Sequence, residues 1–174
     1  DAKPGDKLVL GKPLGVGIYS AALKKGALDA AGYDAMIAST TKLNTPGRKL
    51  SDLPGVHALT DVTGFGLLGH AREMALGAKL AARIALPQVP FLPGVEALAA
   101  QGFITGASGR NWAGYGKDVR LADGITPQQQ ALLCDPQTSG GLLVACAPEA
   151  VDDVLALFRA EGFAQAAVIG EMAE

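Results

Sequence analysis

Strand patterns and helix patterns alternate along the chain, and this alternation constrains the fold more than any other feature. Short apolar runs bounded by turn residues predict strands at 8–10, 56–62, 80–86, 141–147 and 166–170. Apolar residues at helical spacing predict helices at 18–25, 66–76, 93–101, 128–133 and 148–161, with weaker helical segments at 35–42 and 46–53. Elements that alternate in this way pack as layers around a shared sheet. The prediction is an α+β fold with α/β-like layering, in which a mixed β-sheet is flanked by helices within a single domain, residues 1–174.

The composition supports a packed domain and argues against several classes of protein. Apolar residues make up 49% of the 174 residues and charged residues 18%, which suffices for a hydrophobic core. The formal net charge of -2 argues against a nucleic-acid partner, and no apolar run is long enough to predict a membrane span. Cys134 and Cys146 are too few for a disulfide framework or a zinc site, so the sequence predicts a reduced, cytoplasmic protein.

The segment TDVTGFGLLGH, residues 60–70, joins a predicted strand to a predicted helix through a glycine-bearing turn. Asp61 lies on the strand side of this turn. Its carboxylate could hold Mg²⁺, which usually takes one or two protein carboxylates together with phosphate oxygens. The alternative interpretation is that Asp61 or Thr63 caps the helix. Gly64 and Gly66 would let backbone N–H groups approach an anionic ligand at the helix N-terminus.

A second polar cluster, CDPQTSGG at residues 134–141, lies between a predicted helix and a predicted buried strand. Its hydroxyl groups and backbone amides suit an oxyanion or phosphate site. A capped turn that leads into the strand explains the same residues without a ligand. Cys134 is predicted to be a small core residue rather than a nucleophile.

A third stretch, Ile104–Asp123, is rich in Gly, Ser and Asn and is predicted to be a long loop. Loops of this length in compact domains are often functional. Arg110, next to the only Trp of the chain, could pair with a phosphate. A mobile loop with a solvent-facing arginine is the alternative.

Three motifs together resemble one enzyme family. The segments KPLGVG at 12–17, TDVTGFGLLGH at 60–70 and CDPQTSGGL at 134–142 occur in the order and spacing that are typical of selenophosphate synthetase, also called selenide, water dikinase. That family belongs to an ATP-binding superfamily with aminoimidazole ribonucleotide synthetase, thiamine-monophosphate kinase and a hydrogenase maturation factor. The resemblance spans nearly the whole chain and implies the C-terminal domain fold of that superfamily.

The resemblance implies an enzyme that makes selenophosphate from selenide, ATP and water and releases AMP and orthophosphate. It also implies Mg²⁺, ATP as a substrate and a homodimer. The chain matches only the second half of such an enzyme and lacks an initiator Met, so an excised piece is expected. The catalytic nucleophile and lysine would lie in the absent N-terminal domain, which would be the partner of this one. The isolated chain, with no catalytic residue of its own, is therefore expected to be inactive.

Within the chain, the resemblance implies that Asp61 is a metal ligand. Thr63, Gly64 and Gly66 would shape the edge of the phosphate site. A second set of residues would either contact the anion or orient the Asp61 turn, namely Asp135, Gln137, Thr138 and Ser139. Two other functions stay open, namely a stand-alone binding or regulatory domain, and an ATP-dependent kinase or ligase of the same superfamily with another substrate.

Overall fold

A computed structural model describes all 174 residues and contains one five-stranded sheet with the order β2-β4-β1-β5-β3. The strands are β1 (Lys7–Leu10), β2 (Val56–Asp61), β3 (Ala81–Ile84), β4 (Leu142–Cys146) and β5 (Ala167–Ala173). Every pair of neighbouring strands is antiparallel, and parallel pairing occurs only at an isolated bridge between Leu14 and Phe91. The predicted α+β class is confirmed. The two edges of the sheet are β2 and β3.

Helices cover both faces of the sheet. The α-helices are α1 (Val16–Lys24), α2 (Ala30–Thr41), α3 (Pro46–Ser51), α4 (Gly66–Ala78), α5 (Val95–Ala100), α6 (Gly106–Tyr115), α7 (Pro127–Leu133) and α8 (Val151–Ala160). Short 3₁₀ turns occupy Leu86–Gln88, Gly116–Asp118 and Pro148–Ala150. None of these helices combines the length and the apolar character needed to cross a membrane.

The core is divided by the sheet because side chains alternate between the two faces of a strand. Leu143 and Ala145 of the fully buried strand β4 pack in the cluster that contains α4. Val144 and Cys146 face the other way, into the cluster that contains Phe158 of α8. A third cluster joins α1, α2, α5 and α7. These layers confirm helices on both faces of the sheet, and the fully buried β4 contributes side chains to both cores.

The prediction of a long loop at Ile104–Asp123 was wrong, since residues 106–115 form α6. The hydroxyl of Thr105 accepts a hydrogen bond from the backbone N–H of Ser108 at 3.2 Å, which caps the N-terminus of the helix. Tyr115 is buried at its C-terminal end, and its hydroxyl donates to the carbonyl of Phe65 at 2.6 Å. The cap and the tertiary contacts outweigh the low helix propensity of the glycines in this segment.

Candidate functional site

Asp61 is the last residue of edge strand β2, and its side chain is exposed. The carboxylate forms neither a hydrogen bond nor an ion pair with the rest of the chain. The N-cap residue of α4 is Phe65, and no side chain caps that helix. The interpretation of Asp61 or Thr63 as a helix cap is therefore wrong. Asp61 is instead a free carboxylate at the end of an ordered strand.

The turn that follows Asp61 is held by contacts with the CDPQTSGG segment. The carbonyl of Thr63 accepts hydrogen bonds from the N–H groups of Gly66 and Gln137, both at 3.0 Å. The Thr63 hydroxyl lies 3.1 Å from Nε2 of His70. The turn is therefore tied both to the first turns of α4 and to the neighbouring motif.

The two glycines of this turn differ in their surroundings. Gly66 has a φ of +71°, and a Cβ on it would lie 2.6 Å from the backbone carbon of Cys134. Gly64 is exposed, and a Cβ on it would meet no atom within 4 Å. Gly66 thus serves the close packing of two backbones, whereas a side chain at Gly64 would face open space. Only Gly64 has the surroundings expected of a glycine that a ligand approaches.

Asp135 and Gln137 are buried and bind the N-terminus of α1. Asp135 Oδ2 accepts from the N–H of Gly17 at 2.9 Å and from that of Ile18 at 3.3 Å. Gln137 Oε1 accepts from the N–H groups of Gly15 and Val16, and its Nε2 donates to Asp135 Oδ2 at 2.9 Å. Together they satisfy N–H groups that a helix start leaves unpaired. The structure thus joins the KPLGVG motif to the CDPQTSGG motif through buried side chains.

Thr138 and Ser139 continue this segment towards the surface. Thr138 is exposed, and Ser139 is half-buried with a φ of 50°. The carbonyl of Ser139 accepts a hydrogen bond from Nζ of the buried Lys12 at 2.7 Å. Leu142, a few residues further on, pairs with Asp61 across the sheet. Thr138 and Ser139 therefore lie at the same end of the sheet as Asp61.

Two side chains that the sequence reasoning did not assign hold the motifs together. Lys12 Nζ donates to the carbonyls of Ser39 and Lys42 as well as to that of Ser139. Asn111 Nδ2 donates to the carbonyl of Gly64 at 2.8 Å and to that of Cys134 at 3.0 Å. The sequence signals that could have indicated these roles are the position of Lys12 at the start of the KPLGVG motif and that of Asn111 beside Arg110. Arg110 itself is exposed.

No group of three His, Cys, Asp or Glu side chains in the chain is close enough to hold a metal ion together. Asp61 fits a more limited role, since Mg²⁺ commonly takes one or two protein carboxylates and completes its shell with phosphate oxygens and water. Its free, exposed carboxylate meets that requirement. The chain therefore offers one candidate metal ligand at this position, the carboxylate of Asp61.

Burial raises the pKa of Asp135 to about 7, although hydrogen bonds from Gln137, Ile18 and Gly17 act in the opposite direction. The unfolded chain loses this proton near pH 4, whereas the folded chain keeps it to about pH 7. The stabilisation from Asp135 is thus fully present below pH 4 and is lost as the pH rises through 7. The loss amounts to a few kcal/mol at most, because one pKa unit corresponds to about 1.4 kcal/mol.

The variant Asp135→Asn keeps an acceptor for α1 but does not titrate. We expect the stability of the wild type relative to this variant to fall between pH 5 and pH 7 and to level off above pH 7.5. Urea unfolding at half-unit intervals of pH would measure it. Hydrogen bonds from Lys49 and Lys7 lower the pKa values of Glu161 and Glu171. Their effect on the pH dependence of stability is the same in the wild type and the variant, so it cancels in the difference. A difference that is constant with pH would contradict the assignment of the titration to Asp135.

The fold and these motifs define a domain class, and the sequence comparison identifies it. Residues 3–174 match the family described as AIR synthase related protein, C-terminal domain, and the chain belongs to that family. Within it, the chain is similar to proteins named selenide, water dikinase. The relative from Burkholderia ambifaria (strain MC40-6) is 72% identical over 173 residues, and the one from Rhizobium meliloti (strain 1021) is 56% identical over 171 residues.

These alignments cover 99% and 98% of this chain but 49% of each relative, so the chain spans about half the length of the curated relatives it matches. Solved structures share the fold at low identity. Escherichia coli HypE aligns over 99% of this chain and 45% of its own, with a TM-score of 0.68 and 23% identity. Thiamine-monophosphate kinase from Stenotrophomonas maltophilia K279a aligns over 99% of this chain and 49% of its own, with a TM-score of 0.65 and 18% identity. These similarities confirm the superfamily fold that the motifs implied.

Proposed function

We propose that this chain is the C-terminal domain of a selenide, water dikinase. The full-length enzyme would make selenophosphate from selenide, ATP and water and would release AMP and orthophosphate. The observation that carries this proposal is the 72% identity, over 99% of the chain, to a relative with that name. Identity of this degree favours selenide over the substrate of another kinase or ligase of the superfamily.

The geometry supports a role for Asp61 in holding Mg²⁺-ATP. A magnesium ion, when bound, neutralises charge on the phosphate oxygens during phosphoryl transfer. Asp61 offers an exposed carboxylate that has no hydrogen-bond or ion-pair partner within the chain, and Gly64, three residues further on, is also exposed. We propose that Asp61 is one metal ligand and that Thr63, Gly64 and Gly66 form the turn that fixes its position.

The residues of the CDPQTSGG segment divide into two roles in this proposal. Asp135 and Gln137 are 0% and 4% exposed and use their oxygens on α1, so they position the Asp61 turn from inside the protein. The hydrogen bond from the N–H of Gln137 to the carbonyl of Thr63 connects them to that turn. Thr138 and Ser139 reach the surface at the same end of the sheet and are proposed to contact the anionic substrate.

The remaining parts of the reaction are assigned to an N-terminal domain of the same protein. That domain would carry the nucleophile, the catalytic lysine and the other carboxylates, and it would form the homodimer. The relatives' length, about twice that of this chain, is consistent with such a domain. We propose a cytoplasmic enzyme with selenide and ATP as substrates and with no nucleic-acid or membrane partner.

A direct assay tests the reaction. The full-length protein, expressed with its native upstream sequence, is incubated with Mg²⁺-ATP, and AMP is measured with and without selenide. We expect AMP release only with selenide, together with the ³¹P signal of selenophosphate. The isolated chain is expected to release no AMP. AMP or ADP formation that is independent of selenide would favour a kinase or ligase with another substrate.

A further inference from the structure

Strand β3 is an edge of the sheet, and one of its sides has no neighbouring strand. Its partner on the other side is β5, with Ala82 opposite Met172 and Arg83 opposite Glu171. The N–H of Ala85 donates to Ile169 of β5 at 2.8 Å, and the carbonyl of Arg83 lies so close to Gly170 that a Cβ there would be 1.9 Å away. The odd-numbered residues therefore direct their polar backbone groups towards β5.

Backbone groups alternate in direction along a strand, so Ala82 and Ile84 point their N–H and C=O groups away from β5. No other backbone group of the chain pairs with them. Unpaired groups in a row form a template on which another extended chain can add by hydrogen bonding. The edge of β3 therefore has the backbone pattern of a site for strand addition.

A cavity of about 790 Å³ runs along this edge, and 15 of its 20 lining residues are hydrophobic. The floor is formed by buried side chains of α4 and α7, among them Leu68, Ala75 and Leu133. Residues 118–122 and 125 contribute the wall opposite β3. Leu76 on the rim is 56% exposed. The side chains of an added strand that point towards α4 would enter an apolar space.

The other face of the same edge is positively charged. Ala82 and Ile84 pack on the side of α4, so Arg83 between them points to the opposite face, where it lies across from Glu171. Glu171 is already bound by Lys7 at 2.7 Å. That face of the sheet therefore carries Lys7 and Arg83 against a single acidic residue, Glu171.

We propose that the free edge of β3 binds an extended peptide segment in which apolar and acidic residues alternate. The apolar side chains would fill the cavity beneath α4, and the acidic side chains would meet Arg83 on the opposite face. The segment would pair with the backbone of Ala82 and Ile84. A second copy of this chain fits less well, because two β3 edges paired with each other would bring two Arg83 side chains together. The proposal does not depend on the proposed enzymatic function.

A designed probe tests the alternation, the charge and the backbone pairing separately. The probe is a fluorescein-labelled hexapeptide of alternating valine and glutamate, titrated with the 174-residue chain and followed by fluorescence anisotropy. Three control peptides are a block sequence of the same composition, an alternating valine–lysine peptide, and the probe with every backbone nitrogen methylated. We expect the unmodified probe to bind and the three control peptides not to bind. Equal binding of the block or methylated peptide would overturn the proposal. Absence of probe binding at millimolar concentrations of the chain would also overturn it.

Charge reversal at the edge gives the matched test on the protein. Arg83→Glu, at an exposed position, is expected to weaken binding of the glutamate probe about tenfold and to create binding of the lysine peptide. Arg48→Glu, on α3 beside the opposite edge strand, should change neither affinity. Equal melting temperatures of the three proteins show that they are folded. A dimer in sedimentation that dissociates when the probe binds would assign the edge to a second copy and overturn the proposal, as would unchanged affinities in Arg83→Glu.

Discussion

Replacing Gly140 with alanine is expected to destabilise the domain strongly. A Cβ at this position would lie 1.9 Å from the carbonyl oxygen of Val62 and 2.8 Å from Cβ of Gln137. The first of these atoms belongs to the backbone, and the N–H of Val62 is held by the carbonyl of Gly141 at 2.9 Å. Relief of the clash therefore requires that the two motifs move apart. We expect a loss of about 3 kcal/mol or more, the upper end of the cost of overpacking.

Gly64→Ala is the matched control, because a Cβ at Gly64 meets no atom within 4 Å and the backbone does not adopt a positive φ. Its stability should change by less than about 0.5 kcal/mol. Thermal unfolding of both variants measures the contrast, with an expected fall in Tm of roughly 6–12 °C for Gly140→Ala. A wild-type Tm in Gly140→Ala would show that the two motifs are not packed rigidly together.

The sequence predicted the layered architecture because burial and periodicity are local signals. The run that became β4 is apolar throughout, and the helix after it carries apolar residues at helical spacing, as the observed α8 does. The helix α6 was missed because its glycines, Ser108 and Asn111 have low intrinsic helix propensity. What stabilises it is a cap and contacts with residues that are remote in sequence, and no local pattern reports those.

The difference between local signals and contacts remote in sequence also applies to the candidate site. The polar character of Asp135 and Gln137 was visible in the sequence, and it is compatible with a ligand contact and with a buried support. Only the structure shows that both side chains end on the N-terminus of α1, more than a hundred residues away in sequence. Asp61 was open to the same ambiguity, and there the structure removed the cap interpretation. Exposure and the absence of an internal partner separate Asp61 from the supporting residues.

The second prediction concerns Asp61, whose carboxylate is exposed and has no hydrogen-bond or ion-pair partner in the chain. If the full-length protein is the proposed dikinase, Asp61→Asn should reduce its selenide-dependent AMP formation more than about 100-fold, since even residues that only orient metal ligands cost 10–100-fold when changed. The substitution keeps the shape of the side chain and removes its charge. Folding should be unaffected, because the exposed carboxylate forms no hydrogen bond or ion pair within the chain.

Asp52→Asn is the control for this variant. Asp52 is also exposed, but it lies before the start of β2, whereas Asp61 ends that strand. We expect Asp52→Asn to retain wild-type turnover, and both variants to retain the wild-type melting temperature. If Asp61 binds metal, raising the Mg²⁺ concentration should also recover part of the activity of Asp61→Asn, because the weakened site is then filled by mass action. Normal turnover in Asp61→Asn at ordinary Mg²⁺ would remove Asp61 from the metal site.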